Sequence, residues 1–298
     1  MTSTPRRGKP TNDGAGMKAT AVRDAPVPPR KGNHHRLTPL RDLRDLWGHL
    51  ELVRSLTERD LRIRYKQSWF GWAWALITPL VSTVLFTVLF KKIGHVKTGP
   101  APYPLFAYLG LLPWGFFTGT FSSGSGSLIV NSPIVNKVYC PREAFVLSNL
   151  LVSGFDTCVS AVGLGVLFAI YRYPPKLTVW IVPLLCVLVA FTAGLTLAFA
   201  VLVVRLRDVG QLISIIISAG LFATPIAWSL NSLTPPRRLL FCALNPVAGV
   251  IDGLRRSILY GQPPQKGLLA ASAITSLCWL VFGYLLFRQL EGSTADVL

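Results

Sequence analysis

Long stretches without charged residues alternate with short charged segments along most of this chain. Asp, Glu, Lys and Arg are absent from 67–90, 98–136, 177–204, 209–236 and 267–287, and 144–171 contains only Asp156. Each stretch reaches the roughly 20 residues that a helix needs to cross a bilayer. The pattern predicts an all-α membrane protein with six transmembrane helices, at about 69–90, 103–122, 144–171, 178–203, 210–230 and 267–287.

The segment between the fifth and sixth predicted spans is apolar but repeatedly interrupted by proline. Its two pieces are too short to cross a bilayer, and they are bounded by Pro235, Pro236, Pro246, Pro263 and Pro264. In the second piece Asp252 is spaced to pair with Arg255 or Arg256 along a helix. We expect two short re-entrant or interfacial helices within 236–260, on the outer side of the membrane, where they line a cavity or are covered by protein.

The N-terminal region has a different pattern. Residues 1–37 are polar, rich in Pro, Gly and basic residues, and lack the apolar core of a signal peptide, which predicts a disordered cytoplasmic tail. Apolar residues then recur at helical spacing, which predicts an amphipathic interface helix at 40–56. Thr57 and Asp60 resemble the cap of a second short helix. The transmembrane domain therefore covers 38–290.

Composition and charge agree with a chain that lies mostly in lipid. Hydrophobic residues make up 51% and charged residues 14%, against about a quarter charged in soluble domains. The net charge of +17 does not point to nucleic acid, because many basic residues lie between apolar spans. A basic cluster precedes the first span and predicts that this end stays in the cytoplasm. We expect a multi-pass cytoplasmic (inner or plasma) membrane protein with both termini cytoplasmic.

The chemistry available to the chain is narrow. It contains no GxxxxGK[ST] phosphate loop, so an ATPase, if there is one, must be another polypeptide. Ion-coupled transport usually needs ionisable residues within the spans, and only Asp156 qualifies, a residue that fits structural pairing with Ser, Thr or Arg as well as a substrate role. Five cysteines and four histidines show no metal-ligand spacing. We expect no metal site and no catalytic residues.

Four short motifs occur in a defined order relative to the predicted spans. RDLRIRYKQS at 59–68 is followed by GWAWA at 71–75 and by Pro79, NKVYCPRE occupies 136–143, RLRDV occupies 205–209, and Asn245-Pro246 precedes Asp252 and Arg255. Together they resemble the ABC-2-type polysaccharide export permeases, which include O-antigen and teichoic-acid exporters, over about 38–290. Cys140 stands where that family more often has an aromatic residue.

The resemblance implies a homodimer joined to two copies of a separate ABC ATPase subunit, with a channel along the dimer axis for an undecaprenyl-linked glycan. This chain would bind no cofactor, and ATP and Mg would bind the partner subunit. Region 126–143 would be a coupling helix that docks on the ATPase. The helix at 40–56 would gate the cytoplasmic entrance, and the pieces in 236–260 would be outer gate helices.

The candidate functional residues form three groups. The ATPase-coupling group is Asn136, Lys137, Tyr139, Arg142, Glu143, Arg207 and Asp208. The entrance and gate group is Arg62, Arg64, Tyr65, Lys66, Asn245, Asp252 and Arg255. Sugar rings stack on aromatic faces, so the channel group is Trp72, Trp74, Tyr108, Trp114, Phe117 and Phe121. Trp and Tyr are also enriched in ordinary interfacial belts, which is the competing explanation for this last group.

Three other functions stay open at this point. An ABC-2 exporter of a drug or simple lipid would share the topology but would need a closed lipophilic pocket. An ion-coupled flippase would work without an ATPase, and a membrane-bound glycan-modifying enzyme would form product by itself. The sequence does not distinguish O-antigen, teichoic acid and galactan as the glycan.

Overall fold

The computed structural model describes residues 50–66, 68–95, 99–135, 141–206 and 208–294, and within these ranges the chain forms helices and no β-strand. The all-α prediction is confirmed for this part of the chain. The helices are α1 Leu50–Lys66, α2 Ala73–Phe86 continued by a π-helical turn Thr87–Ile93, α3 Tyr103–Ser125, α4 Ser127–Val130, α5 Ser132–Val135, α6 Glu143–Ile170, α7 Ile181–Arg205, α8 Val209–Ala223, a 3-10 turn Leu230–Ser232, α9 Pro235–Leu244, α10 Pro246–Tyr260 and α11 Lys266–Thr294.

Several predictions fall outside the described residues. They concern the tail at 1–37, the first ten residues of the predicted interface helix at 40–49, and four residues of the coupling group, Asn136, Lys137, Tyr139 and Arg207.

Four of the described helices are long and apolar enough to cross a membrane. They cover Ala73–Ile93, Glu143–Ile170, Ile181–Arg205 and Lys266–Glu291, and they match the first, third, fourth and sixth predicted spans. The second predicted span corresponds to α3, which is a continuous helix of the required length. Its sequence contains several glycine, serine and threonine residues, and most of its residues are buried. The count of six spans stays a prediction.

The fifth predicted span is shorter than the sequence suggested. We expected a helix over 210–230, but α8 ends at Ala223 after 15 residues, which is roughly 22 Å of helix against about 30 Å of hydrocarbon. Thr224 has an extended backbone with ψ of 141°, because the residue before a proline avoids the helical region. The predicted end of this helix was therefore wrong, and Pro225 leads the chain out of helical geometry.

The start of the described chain also differs from its prediction. We expected one helix to end at 56 and another to begin near Thr57 and Asp60, but α1 runs without a break from Leu50 to Lys66. The Thr57 hydroxyl donates to the carbonyl of Val53 at 2.7 Å, as an internal helix residue does. The predicted break was wrong.

The two short helices predicted within 236–260 are present as α9 and α10. They meet at Asn245, which has a non-helical backbone and precedes Pro246. The Asn245 amide donates to the Thr224 hydroxyl at 2.8 Å, so the start of α10 is tied to the end of α8. The placement of these helices as re-entrant elements on the outer side of the membrane stays a prediction.

A close crossing of α7 and α11 organises one side of the fold. A Cβ atom on Gly283 would overlap the carbonyl of Gly194, and one on Gly194 would overlap the backbone of Trp279 and Leu280. Only glycine lets the two backbones approach this closely, as in other membrane helix pairs. α3 lies on the other side of α7 and also packs on α6 and α10.

Candidate functional site

A cavity of about 340 Å³ lies between α2, α3, α6 and α8, and six of its lining residues carry a hydroxyl group, although most of its wall is apolar. We call it the hydroxyl groove. The hydroxyls come from three helices, and Asp156, Trp74 and Trp114 lie beside them; they belong to Thr78, Ser82, Thr118, Ser153, Thr157 and Ser160. Several of these hydroxyls already donate within the chain, as Ser82 does to the carbonyl of Thr78 and Thr157 to that of Ser153, so the wall offers hydroxyl oxygens as acceptors beside apolar surface.

The groove continues along a face of α3 that does not pack against the other described residues. Gly115, Ser122 and Ser123 are exposed there, and Thr118 and Gly119 are half-buried. These residues recur every three or four positions and therefore share one side of the helix. The free side of α3 is small and polar, which is unusual for a lipid-facing surface.

Asp156 joins α6 to the end of α1 at the edge of this groove. Its carboxylate accepts a hydrogen bond from the Arg64 guanidinium and another from the Tyr65 hydroxyl. One turn further along α6, the Ser160 hydroxyl donates to the carbonyl of Ala75 at the start of α2. Burial, followed by the hydrogen bond to Asp156, raises the pKa of Tyr65 to about 12. Structural pairing of Asp156 with an arginine is thus confirmed.

The predicted aromatic channel residues separate into two sets. Tyr108, Phe117 and Phe121 are packed inside the chain, with Phe117 stacked between Phe121 and Phe191 at centroid distances of 5.5 and 5.8 Å. The Tyr108 hydroxyl donates to the carbonyl of Ser160. These three residues do not lie on a channel surface in this conformation, because they point away from the free side of α3.

The other three aromatic residues lie nearer to the groove. Trp74 and Trp114 both line it. Trp72 and Trp74 are 60% and 50% exposed. A contact between any of them and a glycan stays a prediction.

A small apolar core joins α1 to the predicted coupling region. We call it the helix-end cluster; it consists of Val53, Leu56, Leu128, Ala144, Phe145, Val146, Leu197, Ala200, Val201 and Phe287. Beside it, Arg59 donates to the side-chain oxygen of Asn131 at 2.7 Å. The amide of Asn131 in turn donates to the carbonyl of Ser127. α1 and the described part of 126–143 are therefore one packed unit.

The two charged residues that end the coupling motif are engaged with α11. Glu143 is 3% exposed, and its carboxylate lies 2.9 Å from Arg288. Arg142 donates to the carbonyl of Glu291. We expected a polar docking surface from both, but a buried carboxylate cannot present itself to a partner. Their role in coupling stays a prediction, and the contacts favour an action through the start of α6.

The remaining described residues of these groups are more accessible. Asp208 is exposed at the N-terminus of α8, and Arg62 and Lys66 are exposed on α1.

Arg255 of α10 is as deeply buried as Glu143, at 3% exposure, and the two are the most buried charged residues among those described. Its guanidinium donates to the carbonyls of Phe106, Pro225, Ile226 and Trp228 and lies 3.4 Å above the Phe106 ring. Burial lowers the pKa of Arg255 to about 9. The predicted local pair with Asp252 is not what binds this guanidinium, because the backbone after α8 supplies its acceptors.

The sequence gives a signal for the hydroxyl groove but none for the hydrogen-bond partners of Arg255. The small and polar face of α3 is visible as a helical repeat of Gly, Ser and Thr, and a search for it would have located the groove. The carbonyl acceptors of Arg255 leave no such signal, because any residue can supply a carbonyl. Among the described residues, no group of three or more His, Cys, Asp and Glu is placed to hold a metal ion.

Comparison with known proteins gives a consistent result. The family described as ABC-2 type transporter matches residues 51–259. The O-antigen export system permease protein RfbA of Klebsiella pneumoniae is 29% identical over 255 residues, covering 84% of this chain and 96% of that protein. RfbA of Myxococcus xanthus is 26% identical, covering 79% and 91%. The polysialic acid transport protein KpsM of Escherichia coli is 22% identical, covering 80% and 93%.

Proposed function

Because the chain belongs to the ABC-2 type transporter family, we propose that it is the membrane subunit of an exporter that moves a lipid-linked polysaccharide out of the cytoplasm. The glycan is of the O-antigen, teichoic-acid or galactan type on an undecaprenyl-type carrier. The relatives named as O-antigen and polysialic acid transporters match nearly their whole length, which supports this substrate class.

The observation that carries the proposal is the hydroxyl groove. A glycan is covered with hydroxyl groups, and a path for it through lipid needs hydrogen-bonding walls. The groove supplies Ser and Thr hydroxyls from α2, α3 and α6 and the exposed ring of Trp74 as a stacking surface, while Trp114 in its wall is buried against the core. The apolar part of the wall would also suit a drug or simple lipid, so the choice of a glycan rests on the hydroxyls together with the relatives.

The groove is open on one side, and we propose that a second copy of the chain closes it. α2 is the most peripheral of the four candidate spans, with only 11% of its apolar window buried. The free side of α3 would then face the partner's equivalent side across an axial channel. This arrangement explains why a small and polar helix face remains uncovered in a single chain.

The energy would come from a separate ATPase, two copies per dimer, that binds ATP and Mg. The sequence lacks a phosphate loop, so hydrolysis by this chain is not expected. Region 126–143 and Asp208 would receive the ATPase. A movement there would reach α1 through the helix-end cluster and would reach the groove through Arg64, Tyr65 and Asp156.

The test begins with the tagged chain, purified from its native membranes in mild detergent. We expect an ABC ATPase to accompany it in equal amount and ATP hydrolysis to respond to the lipid-linked glycan. Depletion of the chain in the producing bacterium should remove the glycan from the cell surface.

The outcomes separate the alternatives. A chain that purifies without an ATPase and still transports would favour an ion-coupled flippase. A normal surface glycan after depletion, with ATPase activity stimulated by a drug or a simple lipid, would favour the other class of ABC-2 exporter. Product formation by the chain alone would favour a glycan-modifying enzyme. As a control, an ATPase subunit with its phosphate-loop lysine replaced should abolish export without dissociating the complex.

A further inference from the structure

A second cavity, of about 580 Å³, lies beside Arg255 at the opposite end of α3 from the helix-end cluster. We call it the arginine cavity. Its walls come from the segment before α3, the turn after α8, and α10, namely Gly99, Pro100, Phe106, Trp228, Ser229, Asn231, Ser232, Asp252, Arg255, Arg256, Tyr260 and Gln262. Small-molecule sites usually occupy roughly 300–1,000 Å³, so the cavity has the size of a binding site.

The arginine cavity has a rigid floor. The guanidinium of Arg255 fixes the carbonyls of Pro225, Ile226 and Trp228 and thereby holds the turn that carries the cavity wall. A Cβ atom on Gly110 would lie 2.6 Å from the Arg255 guanidinium, so α3 is shaped to admit this side chain. This part of the cavity wall is therefore preorganised without a ligand, which lowers the entropic cost of binding.

One carboxylate in the cavity has no hydrogen-bond donor. Among the described residues, none donates a hydrogen bond to the side chain of Asp252, which is half-buried and lies in the field of nearby arginines. Burial raises the pKa of Asp252, while the surrounding arginines Arg256, Arg255 and Arg238 oppose that rise. A half-buried carboxylate that accepts no hydrogen bond from the chain is open to accept one from a ligand or from water.

The neighbours of Asp252 suit a particular kind of ligand. Trp228 is half-buried, is held edge-on by Phe241 at 5.9 Å, and presents a ring to the cavity. Asn231 and Gln262 also line the cavity, and each uses its side-chain oxygen to accept from an arginine, while their amide N–H groups have no acceptor among the described residues. A carboxylate, amide donors and an aromatic face together match the hydroxyls and the C–H face of a sugar ring.

We propose that the arginine cavity binds a neutral, hydroxyl-rich sugar unit of the transported glycan, with Asp252 accepting from ring hydroxyls and Trp228 contacting the ring face. The inference rests on the proposed export function and adds a saccharide subsite that is separate from the hydroxyl groove. Arg255 acts as a positioning residue, because its donors are used by backbone carbonyls.

The test uses the chain together with its ATPase subunit in lipid nanodiscs. The probe is a mixture of oligosaccharides released by mild acid from the surface polysaccharide of the producing bacterium and freed of lipid. Calorimetric titration should detect binding to the native complex. Asp252→Asn removes one charged acceptor at constant shape and should weaken binding about tenfold. Trp228→Ala should weaken it similarly, and Trp228→Phe should restore part of the loss.

Matched controls lie outside the cavity. Glu51→Gln removes an exposed carboxylate from α1, and Trp180→Ala removes an exposed indole before α7; both should bind the oligosaccharides as the native complex does. Purification yield and ATP hydrolysis report whether each variant is folded.

Three results would overturn the subsite. They are no binding to the native complex, equal binding by Asp252→Asn, and binding of inorganic phosphate that competes with the oligosaccharides and becomes tighter in Asp252→Asn. The last result would assign the cavity to an anion. Surface glycan is measured in parallel to separate the two proposals. If depletion of the chain removes the surface glycan but the titrations fail, only the saccharide subsite is overturned. If depletion leaves the glycan unchanged, the export function is overturned as well.

Discussion

Two ionisable side chains, Arg255 and Asp156, obtain their hydrogen-bond partners in different ways within the fold. Arg255 donates only to backbone carbonyls, whereas Asp156 accepts from one arginine and one tyrosine of α1. A planar guanidinium with five N–H donors can bind several carbonyls at once, which an ammonium group cannot do from a single nitrogen. The identity of each residue therefore matters more than its charge.

Replacement of Arg255 by lysine should destabilise the chain although the charge is kept. At least one of the carbonyls of Phe106, Pro225 and Ile226 loses its donor in a buried place, which costs about 2 kcal/mol. Thermal unfolding in detergent, followed by size-exclusion chromatography, would measure the loss. Arg256→Lys is the control, because Arg256 is less buried and binds the rim at Gln262 and Pro263. Equal shifts for the two variants would contradict the role assigned to Arg255.

The contact between Arg64 and Asp156 should appear as an energetic coupling. Both side chains are partly exposed, at 36% and 24%, so we expect the coupling to be about 1 kcal/mol or less. Arg64→Gln, Asp156→Asn and the double variant form the cycle, measured by thermal unfolding. Arg62→Gln, a neighbouring exposed arginine, should show no coupling to Asp156→Asn. If the stability losses of Arg64→Gln and Asp156→Asn simply add in the double variant, the contact between the two residues does not hold α1 in place.

At the scale of whole helices, the chain is organised by one close crossing and one packed end. α7 and α11 approach through Gly194 and Gly283, and the helix-end cluster joins α1, α4, α6, α7 and α11. A salt bridge between Glu143 and Arg288 further links the start of α6 to the C-terminal part of α11. Helices that meet at such points move together, which suits the transmission of a movement from a docked ATPase.

Gly283→Ala should lower the yield of folded protein, and Gly283→Val should lower it further. The added atoms would meet the backbone of Gly194, and overpacking of this kind costs roughly 1–3 kcal/mol. Gly267→Ala on the same helix is the control, since a Cβ there meets no atom within 4 Å. The measurement is the fraction of monodisperse protein after extraction. Normal folding of Gly283→Val would show that the crossing does not need glycine.

Disruption of the Glu143 and Arg288 pair should reduce export while the chain still inserts into the membrane. Glu143→Gln removes the charge that compensates a mostly buried guanidinium, so the start of α6 loosens from α11. Surface glycan and ATP hydrolysis are measured in the same strain.

A charge exchange tests the specificity of this pair. Glu143→Arg combined with Arg288→Glu should recover part of the export that either change alone removes. Unchanged export in Glu143→Gln would argue against an involvement of this contact in coupling.

For the whole molecule, the main question is which surface faces lipid and which faces a channel. Large apolar side chains are exposed on α2, α6, α7, α8 and α11, as expected for a protein in a bilayer, whereas the free side of α3 carries small and polar residues. An assembly of two chains around these polar sides would hide them from lipid. The apolar sides would then remain in contact with acyl chains.

A cysteine scan should separate the two surfaces. In a background without the native cysteines, Ser122→Cys on α3 should react with a water-soluble maleimide in membranes, because we expect it to face the channel. Leu277→Cys, on an exposed apolar face of α11, should react much more slowly. Similar rates at both positions would contradict the assignment of the α3 face.

Much of the architecture follows from the sequence because the bilayer imposes a length on every apolar segment. Charge-free stretches located four candidate spans and α3, and prolines located α9 and α10. The failures have local causes. The end of α8 depends on Pro225, and the continuity of α1 past Thr57 depends on packing that a capping pattern does not reveal.

Only the tertiary structure decided which side of each helix is used. A membrane helix is apolar on most sides, and lipid and protein are both apolar neighbours, so its sequence does not say which side packs against protein. Hence Tyr108, Phe117 and Phe121 were expected on a channel wall but lie in the core, while the Ser and Thr of α3 remain free. For the same reason the acceptors of Arg255 and the crossing of Gly194 and Gly283 emerged only from the folded chain, since backbone atoms carry no sequence signal.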